Sequence, residues 1–79
     1  MERKMILSNV IEVCNDVFDD ESVAIGESTL LVDDLGCDSI KKLIFINMLS
    51  SKFGITLKLD DSLKMNTISD VCDIVEKYL

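Results

Sequence analysis

The stretch Asp34-Leu35-Gly36-Cys37-Asp38-Ser39-Ile40 decides how the chain folds around it, because it places an aspartate and a serine directly before an apolar helical segment. Asp38 has the side chain of a good N-cap, so the serine that follows is expected to be exposed at the start of the helix. The backbone N–H groups and the dipole at a helix N-terminus favour a negatively charged group attached there. The position therefore favours attachment of a phosphate ester to Ser39 rather than hydrolysis.

The helix that begins here is predicted to run to about Lys52, with Gly54 as the left-handed residue after its end. Its apolar residues cover most of the circumference, which in so small a domain indicates a second, exposed apolar face. These residues are Ile40, Leu43, Ile44, Phe45, Ile46, Met48 and Leu49.

Upstream, residues 2–18 predict an amphipathic helix, and a long connection follows from about Asp19 to Cys37. So long an irregular segment is uncommon unless it is functional or pinned, and its apolar residues are expected to hold it against the bundle. The helical stripe consists of Leu7, Val10, Ile11, Cys14, Val17 and Phe18, and the loop anchors are Val23, Ile25, Leu30, Leu31 and Leu35.

Downstream, Thr67-Ile68-Ser69-Asp70 has the form of a capping box with aspartate in place of glutamate, and a helix is predicted over about 68–78. A short helical turn is expected around 60–64, and no strand at 55–57, because a lone strand has no partner. The predicted fold is all-α, a small four-helix bundle of three main helices and one short one, in a single domain over 1–79. The last helix is predicted to bury a stripe of Ile68, Val71, Cys72, Val75, Tyr78 and Leu79.

The charge and the cysteine content indicate which kinds of partner and which cellular compartment to expect. A net charge of −7 over 79 residues argues against nucleic acid, and it fits either docking on positively charged surfaces or solubility alone. Of three cysteines without metal-like spacing, Cys14 and Cys72 are expected in the core and Cys37 exposed in its loop. Such a set suits a reducing cytoplasm. Apolar runs are too short to insert in a membrane.

The chain does not carry the residues of a stand-alone enzyme. It has no histidine, which excludes a Ser-His-Asp triad, and Gly36-Cys37-Asp38-Ser39 lacks the second glycine of a nucleophile elbow. Asp33, Asp34 and Asp38 do not follow the spacing of a calcium loop, so no metal site is predicted. A phosphate-cradling glycine loop is absent from the sequence as well.

The segment Leu35-Gly36-x-Asp38-Ser39-Ile40, thirteen residues before Phe53-Gly54-Ile55 in a small acidic all-helical chain, resembles the acyl carrier protein family. The resemblance extends from about Leu7 to Leu79. It includes the approach Thr29-Leu30-Leu31-Val32-Asp33-Asp34-Leu35-Gly36 and the start of the last helix at Ile68-Ser69-Asp70-Val71.

The resemblance implies that a phosphopantetheinyl transferase esterifies Ser39 with 4′-phosphopantetheine taken from coenzyme A. Asp38 would cap the helix and assist the metal-bound complex of the transferase. The thiol of the arm would then carry acyl groups as thioesters between loading, condensing and transferring enzymes of fatty acid, polyketide or related lipid biosynthesis. The carrier is expected to be a cytoplasmic monomer, and its aliphatic core would permit an acyl chain to slip between the helices.

The chain departs from the family where such carriers usually present acidic residues to basic partner surfaces. Between Asp38 and Lys52 it holds one acid and three lysines, a local charge of +2 against −9 for the remainder. We therefore hypothesise a dedicated carrier whose partners present acidic or apolar patches, although drift on a solvated face would also explain some of these residues. By resemblance, Phe45, Ile46, Leu49 and Phe53 would face the core, and the docking surface would include Ile40, Lys41, Leu43, Ile44 and Asn47.

Two other functions stay open at the level of sequence. A stand-alone peptidyl or aminoacyl carrier would use the same arm with an amino acid thioester. An unmodified helical interaction module would use the apolar second helix as its binding face, and it would tolerate replacement of Ser39.

Overall fold

Four helices make up the computed structural model, which describes residues 1–19 and 23–79. Over these residues there is no β-strand, and a single isolated bridge joins Leu30 to Thr67. The all-α prediction of three main helices and one short helix is confirmed. None of the described helices is both long and apolar enough to cross a membrane. The helices are α1 (Arg3–Phe18), α2 (Ser39–Phe53), α3 (Leu59–Ser62) and α4 (Ile68–Tyr78).

Helix α1 packs against both α2 and α4, and this double contact sets its buried face. Ile6 and Val13 are buried, although the predicted stripe omitted them, whereas Leu7 and Val17 are only half-buried against the core. The prediction was wrong at these positions because a stripe read from spacing points in one direction, while two neighbouring helices cover a wider arc. The buried residues of α1 are Ile6, Val10, Val13, Cys14 and Phe18.

Helix α4 buries most of the predicted stripe but not its end. Tyr78 and Leu79 are exposed, contrary to the prediction, and Ile74 is buried in their place. The helix extends beyond the core, and the hydroxyl of Tyr78 donates a hydrogen bond to the carboxylate of Asp61 in α3. A tyrosine with a polar tip can remain at the edge of a core in this way.

The connection between α1 and α2 is pinned by two of its leucines and by backbone hydrogen bonds. Leu31 and Leu35 are buried as expected, but Leu30 is exposed, and its backbone forms the bridge to Thr67. Val23 and Ile25 pack partly against the core. Residues 20–22 of the predicted connection lie outside the described residues.

Three backbone hydrogen bonds join this connection to the start of α4. Leu31 donates to the carbonyl of Asn66 at 3.0 Å. In the other direction, the N–H groups of Ile68 and Ser69 donate to carbonyls of the loop at 3.0 and 2.9 Å. Backbone groups of Glu27, Thr29 and Leu31 are thus paired without a sheet.

The end of the connection turns inward just before α2. Gly36 has a φ of 66°, a left-handed conformation that side chains disfavour, and Cys37 donates its N–H to the carbonyl of Leu31 at 2.9 Å. Cys37 is consequently buried, which contradicts the exposure expected from its loop position. Spacing alone does not reveal that a turn faces the core.

The capping box of α4 is confirmed with aspartate at its third position. The hydroxyl of Thr67 accepts from the Asp70 N–H at 3.1 Å, and the carboxylate of Asp70 accepts from the N–H groups of Thr67 and Asn66 at 3.0 and 3.1 Å. These bonds, chiefly the one from Thr67, hold the pKa of Asp70 below its usual value.

Gly36→Ala is expected to lower the free energy of unfolding by about 1 kcal/mol, because an L-residue is strained at this positive φ. Gly26→Ala is the matched control, since a Cβ there meets nothing within 4 Å and its φ is not positive. Chemical denaturation of both variants measures the difference. Equal effects of the two changes would contradict the role assigned to Gly36.

Asp70→Asn is expected to remove about 1 kcal/mol of stability at neutral pH, because the charged acceptor at the N-terminus of α4 is lost. The folded pKa lies below the ordinary value of 3.8, so this contribution is present above that pH and disappears as pH falls through the folded pKa. Denaturation curves between neutral and acidic pH should therefore converge for the two proteins. Asp33→Asn, which removes one charge from an exposed loop position, should show no such convergence.

Candidate functional site

The candidate site is the N-terminus of α2, and its first helical residue is Ser39. Asp38 is the N-cap, as predicted, with extended backbone angles of φ −93° and ψ −177°. Its side-chain Oδ1 accepts the N–H of Lys41 at 2.8 Å, and its carbonyl accepts the N–H of Lys42 at 2.9 Å. The cap thus ends the loop and begins the helix within one residue, which leaves Ser39 exposed.

The surroundings of Ser39 suit a covalently attached group and do not activate its hydroxyl as a nucleophile. The chain has no histidine, and the neighbouring carboxylate of Asp38 is engaged by a backbone N–H. Within residues 1–19 and 23–79, the N–H groups of Ser39 and Ile40 have no hydrogen-bond acceptor. Free N–H groups and the positive end of the helix dipole fit a phosphodiester on the exposed hydroxyl, such as that of 4′-phosphopantetheine.

Cys37, the residue before the cap, has a buried thiol. Burial raises the pKa of the Cys37 thiol, which keeps it protonated and weakly reactive. This thiol lies 3.6 Å from the carbonyl of Asp38. Of the acidic residues in the turn, Asp34 accepts the N–H of Leu30 at 2.8 Å and so acts as a local cap. Over the described part of the chain, no group of three possible ligands could hold a metal ion.

Helix α2 has two apolar faces, as its sequence predicts. The inner face lies in the core, with Phe45, Ile46 and Leu49 buried and Phe53 half-buried against them. The ring centroid of Phe45 lies 5.6 Å from that of Phe18 on α1. This packing orients the whole helix and therefore the direction in which its outer face points.

On the outer face, all five residues predicted to form a docking surface are exposed. Ile40, Leu43 and Ile44 expose 73%, 52% and 45% of their surface, values far above those of buried aliphatic residues. Three- and four-residue spacing places Ile40, Leu43, Ile44 and Asn47 side by side, one turn after another from Ser39. Lys41 lies beside them in the first turn.

Further exposed apolar residues were not singled out from the sequence. Val32 in the turn before the site, and Leu59 and Leu63 at the two ends of α3, are all exposed. A helix of four residues has no usable periodicity, so its apolar positions carry no clear signal of orientation. Helix α3 contacts α2, which brings part of this apolar surface near the candidate docking face.

Comparison with known proteins identifies the family of the chain. The model of the phosphopantetheine attachment site family matches residues 8–75, which include Asp38 and Ser39. The acyl carrier protein of an Exiguobacterium species is 30% identical over 79 residues, covering 100% of both chains. That of Thermotoga maritima is 29% identical over 77 residues, covering 98% of this chain and 95% of the relative.

Comparison of the fold with solved structures also finds acyl carrier proteins. The structure of the acyl carrier protein from Enterococcus faecalis is similar with a TM-score of 0.78 and 26% sequence identity, covering 100% of both chains. The family model covers most of the sequence, and a relative of full coverage is 30% identical. The chain therefore belongs to the acyl carrier protein family, and its cofactor is 4′-phosphopantetheine.

Proposed function

We propose that this protein carries acyl intermediates as thioesters on a 4′-phosphopantetheine arm attached to Ser39, in fatty acid, polyketide or related lipid biosynthesis. The observation that supports this most is the exposed serine at the first position of α2, directly after its aspartate cap, in a chain of the acyl carrier family. The chain is a substrate shuttle and its partner enzymes perform the chemistry. It acts as one carrier domain over residues 1–79.

Attachment of the arm is an exchange of phosphate linkages. The oxygen of Ser39 attacks the phosphorus of coenzyme A that bears the pantetheine, and the bond to the adenosine-containing phosphate breaks. The products are a serine phosphodiester, adenosine 3′,5′-bisphosphate and one proton. The described site offers Ser39 no basic side chain to take that proton, so a phosphopantetheinyl transferase must supply the base.

Loaded in this way, the carrier would present its cargo beside the outer face of α2. The docking surface comprises Ile40, Lys41, Leu43, Ile44 and Asn47, which follow the attachment site along the helix and are exposed. Enzymes that load, condense and transfer acyl groups would bind there while the arm enters their active sites. We place the protein in the cytoplasm as a monomer, with a dedicated pathway as its setting.

Ser39→Ala is expected to abolish attachment completely, because the hydroxyl that forms the phosphodiester is absent. Intact mass is measured after incubation with coenzyme A, magnesium and a broad-specificity phosphopantetheinyl transferase. The unsubstituted protein should gain one phosphopantetheinyl group. Ser51→Ala, which changes an exposed serine at the other end of α2, should gain it equally well.

Loss of attachment in Ser39→Ala, with normal attachment in Ser51→Ala, supports the proposal. Attachment to Ser39→Ala would place the arm on another residue. The absence of any mass gain with several transferases would instead favour an unmodified interaction module that uses the exposed apolar face of α2.

Asp38 is expected to have two separable roles, a cap for α2 and a charge for transferase recognition. Asp38→Ala should lower stability by about 1 kcal/mol, whereas Asp38→Asn should retain stability, because asparagine caps about as well as aspartate. Both variants should be loaded more slowly, by about tenfold or more in kcat/KM, if the carboxylate assists the metal-bound transferase complex. Thermal unfolding and initial loading rates measure the two effects separately. Normal loading of Asp38→Asn would restrict the role of Asp38 to capping.

A further inference from the structure

The charge on α2 is opposite to that of the rest of the protein. The helix carries Lys41, Lys42 and Lys52 and no acidic residue, whereas the remainder carries five basic and fifteen acidic residues. A segregation of this kind is either accidental or serves an interaction. The position of these lysines at the helix terminus and their lack of ion pairs among the described residues favour an interaction.

The position of Lys41 is unfavourable for the helix that carries it. It occupies the third helical position, and Lys42 follows, so both cations lie at the positive end of the helix dipole. In α3 and α4 the third helical position holds an aspartate instead of a lysine. The carboxylates of Asp61 in α3 and Asp70 in α4 accept the N-cap N–H at 2.9 and 3.0 Å. Lysine at the third position of α2 gives up such a contact.

No internal ion pair compensates for this arrangement. Across the two described ranges, neither Lys41 nor Lys42 forms a salt bridge, whereas Lys52 at the far end of α2 lies 3.2 Å from Glu12 on α1. Lys41 is exposed and Lys42 is half-buried. Within the described residues the lysine pair therefore adds no ion pair to the fold, and the exposed charge of Lys41 is available to a partner molecule.

Apolar residues lie beside Lys41 on the exposed side of α2, whereas Lys42 is half-buried further round the helix. Ile40, Leu43 and Ile44 share this side, because residues three and four apart are neighbours, and they are among the most exposed aliphatic side chains of α2. We call Ile40, Lys41, Leu43 and Ile44 the lysine-apolar face. An aliphatic patch with a positive charge at its edge is complementary to an apolar patch rimmed by carboxylates.

We propose that the lysine-apolar face docks on partner enzymes whose carrier-binding surface is acidic around an apolar patch. This inference rests on the proposed carrier function and adds the charge of the partner surface. Lys41 and Lys42 attract such a partner, and they also repel enzymes with basic docking surfaces, which an acidic helix would have attracted. The protein thereby selects its own enzymes and is rejected by others.

An anionic membrane is the other surface that basic and aliphatic residues could meet. The overall charge of −7 opposes it, because most of the protein surface would be repelled by anionic lipids while only one helix is attracted. A compact acidic patch on an enzyme contacts α2 without approaching the remaining acidic surface so extensively. The geometry and charge therefore favour a protein partner.

The test measures binding in the Ser39→Ala background, so that the result does not depend on attachment of the arm. One immobilised probe is a phosphopantetheinyl transferase with a basic carrier-docking surface, and the other is the same enzyme with those basic residues replaced by glutamate. The variant is Lys41→Glu with Lys42→Glu. The matched control is Lys4→Glu with Lys77→Glu, two exposed lysines on α1 and α4, which changes the net charge equally.

The carrier with Lys41 and Lys42 intact should bind the acidic probe about tenfold or more tightly than the basic probe, and this preference should weaken as salt is raised. Lys41→Glu with Lys42→Glu should invert the preference, and the control pair should leave it unchanged. The melting temperature of the inverted variant should stay the same or rise, because acidic residues suit the first turn of α2.

Equal or tighter binding of the intact carrier to the basic probe would overturn the inference. The same shift in the control pair would show an effect of net charge alone and would overturn it as well. Binding to phosphatidylglycerol vesicles without binding to the acidic probe would identify a membrane surface. Failure of the proposed function is read separately, as missing attachment to Ser39 in the mass measurement.

Discussion

The structure depends on how the connection between α1 and α2 is fastened to the start of α4. Leu31 and Leu35 are buried, and backbone hydrogen bonds from the loop to Asn66, Ile68 and Ser69 replace the sheet or disulfide that would otherwise hold so long a segment. Because buried backbone groups must be paired, residues 27–31 cannot move away from α4 without breaking several hydrogen bonds together. This fastening fixes where α2 begins, and so where the candidate serine is presented.

Helix α2 keeps several aliphatic side chains exposed to solvent. A chain of 79 residues buries only about 60–65% of its unfolded surface, so each aliphatic residue left outside is a substantial fraction of the possible core. Ile40, Leu43 and Ile44 nevertheless remain exposed, while Phe45 and Leu49 on the same helix are buried. Exposed aliphatic residues beside Lys41, which forms no ion pair within the described residues, are difficult to explain by stability alone, and the docking surface that we propose would account for both features.

The parts of the fold that could be predicted from the sequence are those governed by local chemistry. Asp38, Gly54 and the Thr67–Asp70 box were predicted as helix boundaries, and the structure confirms them with hydrogen bonds or a left-handed φ. The faces of α1 and α4 were predicted less well. Val13 and Ile74 are buried and Tyr78 is exposed, because neighbouring helices and the length of the core decide which of several adjacent apolar residues turn inward.

The candidate site shows the same division between local and tertiary causes. The sequence by itself determined that a serine follows a capping aspartate, that the helix behind it is apolar over most of its circumference, and that its charges are basic, because caps, periodicity and composition act over a few residues. Only the tertiary structure decided that Cys37 is buried, that Leu30 is exposed, and that Lys41 and Lys42 form no internal ion pair within the described residues. These properties depend on which segments meet in space, and contacts between residues far apart in the chain are not encoded in local spacing.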